Sequence, residues 1–192
     1  SGNTKRDTVQ GVIDLVHGAT VGLQTIWVPA VAMYPTTTTG CNALAQVEIT
    51  AIRPELKTLD FPVAADSYAQ FAIAFPKSWD RSYIQYQTYW SVTGTDVNTV
   101  LFSLSAIAVS SDDPMNPAFP AGVDNVALAH SGTANDLMVN AKSGNVTVGG
   151  TPLDGDQVFF QIMRDVSAGT QPADVRLLGI KLYFTTNAEN DA

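Results

Sequence analysis

Short runs of alternating apolar and polar residues, separated by turn residues, fill most of the chain after residue 45. Their length and alternation are typical of β-strands. The runs are Val47 to Ile52, Lys57 to Phe61, Tyr68 to Phe75, Tyr83 to Trp90, Val100 to Val109, Val146 to Val148, Val158 to Met163 and Val175 to Phe184. Segments rich in proline, glycine and aspartate lie between them, such as SSDDPMNPAFPAG (110–122). This pattern, with no long helix, predicts an all-β fold, a jelly-roll-like antiparallel β-sandwich.

Alternation also predicts which side of a strand faces the core. In 83–90 it places Tyr83, Gln85, Gln87 and Tyr89 on one side, and Ile84, Tyr86, Thr88 and Trp90 on the other. In 175–184 one side is almost entirely apolar, and we expect it to lie in the interior between two sheets. That side comprises Arg176, Leu178, Ile180, Leu182 and Phe184.

The N-terminal residues follow a different pattern. Val9, Val12, Ile13 and Val16 have the spacing of one helix face. So short an apolar stripe needs a partner, either the body of its own domain or identical copies around a symmetry axis. We therefore predict an N-terminal anchoring or linker segment over residues 1–25 and a β-sandwich domain over residues 26–192.

Charge and composition exclude several partners. The chain has 192 residues, of which 45% are hydrophobic, and a formal net charge of −8, which opposes binding to nucleic acid phosphates. No apolar run is long enough to span a bilayer, so we expect no membrane insertion and a soluble protein made in a cytoplasm. Cys41 is the single cysteine, so no intrachain disulfide forms.

Candidate catalytic and metal-binding residues are sparse. His17 and His130 are far apart and lack neighbouring ligands at zinc spacing. The acidic loops SSDDP (110–114) and DGD (154–156) would suit calcium, but these residues are also ordinary turn residues. His130, Ser131 and Asp136 lie close together in HSGTAND, without the sequence context of a catalytic triad. We predict no enzymatic activity and no cofactor.

The segment FPKSWD (75–80) breaks an aromatic-rich stretch. Pro76 ends a strand, and Trp79 can cover the open end of a sandwich. We therefore interpret the segment as a corner between two strands. The alternative is a platform on which sugar rings stack, formed by Trp79, Tyr83, Tyr86 and Tyr89.

Several longer stretches resemble a known family. They are IWVPAVAM (26–33), KTLDFPVAADSYAQFAIAFPKSWDRSYIQYQTYW (57–90), ALAHSGTANDLMVNAKSGNVTVGGTPLDGDQVFFQIMRD (127–165) and DVRLLGIKLYFTTNAENDA (174–192). Together they are similar to a family of structural proteins of tailed, largely marine, bacteriophages. The resemblance covers residues 26–192 and implies a virion component with a β-sandwich domain, as in tail fibres, head fibres or capsid decorations. It implies no enzymatic activity, and residues 1–25 lie outside it.

The resulting hypothesis is a structural protein on the virion surface, assembled in the host cytoplasm and anchored by residues 1–25. Its expected partners are other virion proteins and further copies of itself. The resemblance to phage fibres favours a homotrimer with the Val9, Val12, Ile13 and Val16 stripes along one axis, and the alternatives are five- or six-fold arrangements and a monomer docked on a capsid. The alternative is a module that binds a host receptor or surface carbohydrate through Trp79 and the neighbouring tyrosines. A glycan depolymerase is disfavoured, because no paired carboxylates can be placed on facing strands.

Overall fold

The computed structural model describes residues 22–188 of the chain. The helical element among these residues is a 3-10 turn at Ala30–Ala32, and no helix there is long and apolar enough to cross a membrane. The strands are β1 (Gly22–Pro29), β2 (Tyr34–Pro35), β3 (Ala45–Glu48), β4 (Glu55–Phe61), β5 (Ser67–Ala74), β6 (Gln85–Ser91), β7 (Thr99–Val100), β8 (Phe102–Val109), β9 (Val123–Asp124), β10 (Leu128–Ala129), β11 (Met138–Val139), β12 (Val148–Gly149), β13 (Gln157–Arg164) and β14 (Val175–Thr186).

Two mainly antiparallel sheets contain most of these strands. The first has the order β11-β6-β14-β4-β3, with β1 also paired to β14. The second has the order β12-β8-β13-β5-β2, with β9 also paired to β8, while β7 and β10 form a separate small ladder. Long strands that follow one another in sequence, such as β4, β5, β6 and β8, alternate between the two sheets. The predicted jelly-roll-like β-sandwich is confirmed.

The core lies between the inner faces of the two sheets. Phe61 of the first sheet meets Phe102 of the second edge-on, with ring centroids 5.5 Å apart. The Tyr86 hydroxyl, from the first sheet, can donate to either of two carbonyl oxygens of the second sheet. They are those of Phe102 at 2.7 Å and Val123 at 2.8 Å. Burial raises the pKa of Tyr86, with a smaller contribution from Asp124. Tyr86 therefore joins the sheets as a neutral donor.

The strand β14 departs from the predicted alternation. Ile180, Leu182 and Phe184 are buried as expected, but Val175 and Leu177 are also buried, whereas Arg176 and Leu178 are only partly so. The register with β6 shifts between Leu177 and Gly179. This irregularity inserts one residue and reverses which side faces the core, so the assignment of Arg176 and Leu178 to the interior was wrong.

The first strand was absent from the sequence prediction. Gly22–Pro29 pairs along its whole length with Thr186 back to Gly179 on β14. Gly22–Thr25, which the sequence analysis assigned to the N-terminal segment, therefore pair in the first sheet. The strand was missed because Gly22–Thr25 has no apolar alternation: Leu23, Gln24 and Thr25 are all exposed.

The corner at FPKSWD is confirmed. The backbone turns at Pro76, whose carbonyl oxygen accepts from the Trp79 amide at 2.9 Å. The Trp79 side chain packs against Phe75, with ring centroids 4.5 Å apart, and only 3% of the residue is exposed. Trp79 also bridges to Thr186, so it closes the end of the sandwich next to the last residues of β14.

Candidate functional site

The four aromatic residues predicted to stack on sugar do not form one surface. Trp79 and Tyr86 are buried in the core, so neither ring offers a face to a ligand. Tyr89 lies on the outer side of the first sheet, and Tyr83, which is 37% exposed, precedes β6. Six residues of extended chain separate these two by about 20 Å, too far for a single sugar ring. Only Tyr89 has an exposed aromatic neighbour, Trp27.

The residues predicted to anchor or oligomerise the protein, Val9, Val12, Ile13 and Val16, lie outside the described residues. Their role, and the homotrimer that depends on them, stay predictions.

The candidate catalytic group at HSGTAND is not assembled. Ser131 Oγ donates to Asp136 Oδ2 at 2.7 Å, which closes a local turn. His130 is buried beside Trp90, and neither of its ring nitrogens has a hydrogen-bond partner among residues 22–188. A histidine without a contact to the serine cannot act as its general base.

The acidic loops are turns in which carboxylates cap backbone amides. Asp113 accepts from the Ser110 amide at 3.1 Å, and Asp156 accepts from the Leu153 amide at 2.7 Å. Within the described part of the chain, no three His, Cys, Asp or Glu side chains come close enough to hold a metal ion.

The outer face of the second sheet carries a row of polar side chains. Gln161 of β13 is the register partner of both Ser105 of β8 and Gln70 of β5, and Gln70 is also paired with Tyr34 of β2. Directly paired residues share a face of the sheet. At a strand spacing of about 4.8 Å, the row is about 14 Å long, enough for a short oligosaccharide.

Aromatic and apolar residues flank this row on both sides. One neighbouring row joins Ser103, Met163 and Tyr68, and the other joins Ile107, Phe159 and Ala72. The sheet thus presents a polar strip between two less polar ones. Such a surface suits a sugar, whose hydroxyl groups need partners and whose ring faces are apolar.

The long loop 110–122 turns this face into a groove. Gly122 approaches β8 so closely that a Cβ there would lie 2.4 Å from Ser103 Oγ. Together with Phe119 of the same loop it forms a wall beside the polar row. The opposite rim is formed by Tyr34, which is 48% exposed, and by threonines at 36, 38 and 39.

Three cavities, of about 210, 260 and 390 Å³, lie along this groove and share residues. Gln161 and Tyr68 line both the first and the third, and Gln70 lines the second and the third. A ligand in the groove would therefore contact the two glutamines from more than one side.

The groove lining is polar but uncharged. No Asp, Glu, Lys, Arg or His lines any of the three cavities. The side-chain amides of Gln70 and Gln161 have no hydrogen-bond partner among the described residues. Each amide can therefore donate to one ligand hydroxyl and accept from another.

Sequence reasoning missed these groove residues. The alternation of Phe159, Gln161 and Met163 along a predicted strand was a usable signal for an outward-facing strip. No local signal indicates that β13 lies between β5 and β8, since these strands are far apart in sequence. Tyr34 had no role in the sequence analysis, and the loop 110–122 was interpreted only as a segment of turn residues.

No protein-family model matches the sequence, and the curated protein sequences contain no match to it. Among solved structures, a family 35 carbohydrate-binding module from Clostridium thermocellum aligns with a TM-score of 0.45 and 10% identity, over 83% of this chain and 97% of the module. The xylanase 10B fragment from Clostridium thermocellum that contains the family 22 module CBM22-1 aligns with a TM-score of 0.46 and 14% identity, over 87% of this chain and 28% of that one.

A family 35 module from Cellvibrio japonicus aligns with a TM-score of 0.43 and 10% identity, over 86% of this chain and 99% of the module. Two of these neighbours are carbohydrate-binding modules, and the xylanase fragment contains one. At such identities, and with TM-scores below 0.5, the similarities assign neither a ligand nor a site to this chain.

Proposed function

We propose that this protein is a carbohydrate-binding module and that the groove on the second sheet binds a neutral oligosaccharide. The observation that carries the proposal is the row of Ser105, Gln161, Gln70 and Tyr34, whose side chains have no hydrogen-bond partner among the described residues. Side-chain groups whose hydrogen bonds are made only to water can exchange that water for the hydroxyl groups of a ligand. The absence of charge in the lining favours a neutral sugar over a charged one.

The groove supports binding rather than chemistry. Glycoside hydrolysis needs two carboxyl groups flanking the scissile bond, and the lining of the three cavities contains none. The aromatic rings of Tyr68, Phe119 and Phe159 supply apolar contact, and the glutamines supply orientation. This division of roles is the usual one in small-molecule sites.

The test is binding of the full chain to a panel of neutral polysaccharides, such as xylan, mixed-linkage β-glucan, mannan and dextran, followed by titration of the best ligand. We expect Gln161→Leu and Gln70→Leu each to weaken binding roughly tenfold, because each removes hydrogen bonds without changing the packing volume much. The matched control is Gln157→Leu, on the same strand and the same side but outside the cavities. Equal affinity of all three variants, or no binding to any glycan, would overturn the proposal.

We also propose, from the family resemblance, that the module is displayed on a phage particle and held there by residues 1–25. One structural observation supports this arrangement. Gly22 pairs with Thr186 of β14, so residues 1–21 are connected to the first sheet, whereas the groove lies on the second sheet. Immunogold labelling of particles with an antibody to this chain tests the proposal. Purified particles that do not contain the chain would contradict the proposal.

A further inference from the structure

The outer face of the first sheet, on the other side of the molecule from the groove, carries an aromatic platform. The indole of Trp27 on β1 meets the ring of Tyr89 on β6 edge-on, with centroids 4.9 Å apart and an interplanar angle of 82°. Gly179 of β14 lies between them, and a Cβ there would sit 2.6 Å from the indole. Glycine therefore lets the indole cross the strand. Trp27 still has 49% of its surface exposed, so an apolar ring faces solvent.

Two lysines lie beside this platform, over one tyrosine ring. The Nζ atoms of Lys181 and Lys142 are 5.3 Å and 5.5 Å from the centroid of Tyr183. Lys181 is also the register partner of Trp27, so one of the two cations adjoins the indole. The face thus combines a stacking surface with two positive charges.

Hydrogen bonds fix the Tyr183 ring, over which both lysines lie. The Tyr183 hydroxyl donates to Gln87 Oε1, and Gln87 Nε2 donates to the carbonyl oxygen of Asn140 at 3.0 Å. Because both polar ends of the glutamine are engaged, the ring under the two lysines is positioned before any ligand arrives. Preorganisation of this kind lowers the entropy cost of binding.

Neither lysine is paired with a carboxylate among residues 22–188, where the ion pair present joins Arg176 to Asp60 at 3.6 Å. The two ammonium groups repel each other. In a chain with a formal net charge of −8, such a local excess of positive charge attracts a negatively charged group. The unpaired cations distinguish this face from the uncharged groove.

We propose that this face is a second binding site, for an anionic polysaccharide. A carboxylate or sulfate of the polymer lies between Lys142 and Lys181, and a pyranose ring stacks on Trp27. Charge-assisted hydrogen bonds from the two lysines hold the anion. The site shares no residue with the groove, so the two proposals can be tested independently and one can fail without the other.

The experiment compares polymers that differ in charge but share a backbone. The full chain is titrated with polygalacturonate and its methyl ester, and with dextran sulfate and dextran. Each titration is repeated with the Gln70→Leu/Gln161→Leu double variant, in which binding to the groove is weakened, so that binding that persists is assigned to this face. We expect binding to the charged member of at least one pair, weakening as salt increases, and at least about tenfold weaker binding by the Lys142→Met/Lys181→Met double variant.

A charge-matched control distinguishes binding at this site from non-specific attraction of the polymer to positive charge. The Lys57→Met/Lys77→Met variant loses the same net charge at two exposed lysines that do not lie over the Tyr183 ring, and we expect it to bind as the wild type does. The Trp27→Ala variant keeps both lysines, and we expect it to bind the charged polymer more weakly than the wild type does. Equal losses in the two double variants, equal binding of charged and neutral polymers, or full binding by Trp27→Ala would overturn the proposal. Binding of only the carboxylated or only the sulfated polymer supports it and identifies the anion.

Discussion

Gln161 lies directly opposite Gln70 across the pair of strands β13 and β5, on the outer face of the second sheet. Both amides are free of hydrogen bonds to the described part of the protein. Side chains in such a pair lie about 5 Å apart at Cβ, close enough to contact one sugar ring together. This pair therefore forms the centre of the proposed groove, and the rest of the fold holds it in place.

Substitution of Gly179 by alanine should destabilise the protein and displace Trp27. The new methyl carbon would lie 2.6 Å from both the indole and the carbonyl oxygen of Val28, and the backbone atom cannot move aside easily. We expect a loss of about 1–3 kcal/mol in the free energy of unfolding, with a change in tryptophan fluorescence, measured by denaturant titration. Gly94→Ala is the control, because its nearest neighbour would be at 3.4 Å. Equal stability of the two variants would contradict this account.

Substitution of Trp79 by alanine should reduce stability without affecting glycan binding. Its ring is buried against Phe75 at the end of the sandwich, and removing a buried large aromatic costs about 3–5 kcal/mol. Denaturant unfolding measures the loss, and Tyr83→Ala provides a half-exposed comparison. A stable Trp79→Ala protein that no longer binds glycan would mean that the ring contacts the ligand after all.

Substitution of Arg164 by methionine should also destabilise the fold. This buried guanidinium donates to the carbonyl oxygens of Phe61, Ala173 and Gln171 at 2.7–2.9 Å. Burial lowers the pKa of Arg164, yet the side chain stays charged at neutral pH because arginine is so strongly basic. Leaving three carbonyls unpaired should cost at least about 2 kcal/mol, as measured by thermal and denaturant unfolding. The exposed Arg53→Met should change stability little.

The thiol of Cys41 should be unreactive in the folded protein. Burial raises its pKa to about 12, so almost none of it is the reactive thiolate at pH 8. We expect no modification by iodoacetamide at pH 8 under native conditions and complete modification in guanidinium chloride, followed by mass spectrometry. Because Cys41 is the single cysteine, one added group reports on this site alone. Rapid labelling of the native protein would show that the loop around it opens.

The intact chain should form a homotrimer in solution. Light scattering after size exclusion should give a mass near three times 20.4 kDa. The Val12→Asp/Ile13→Asp variant tests whether the N-terminal stripe holds the subunits together, since a charge is costly in an apolar seam. A trimer that persists in this variant would place the interface on the sandwich, and a monomer for the intact chain would refute the prediction.

Local sequence patterns were sufficient to predict the fold class and which residues share a side in 83–90. Alternation in 83–90 correctly separated Tyr86 and Trp90, which are buried, from Gln87 and Tyr89, which are not, because a strand has a period of two residues whatever its neighbours are. The turn residues around Pro76 likewise predicted the corner, since proline cannot continue the ladder. These are local properties of the chain.

Which strands lie side by side, and therefore where the candidate sites are, could be learned from the three-dimensional structure alone. The groove brings together Gln70, Ser105 and Gln161, and the platform brings Trp27 to Tyr89 across Gly179. The shift of register after Leu177 also reversed the facing of part of β14. Such pairings follow from how all the apolar faces fit into one core at once, and this is a property of the whole chain that no single segment encodes.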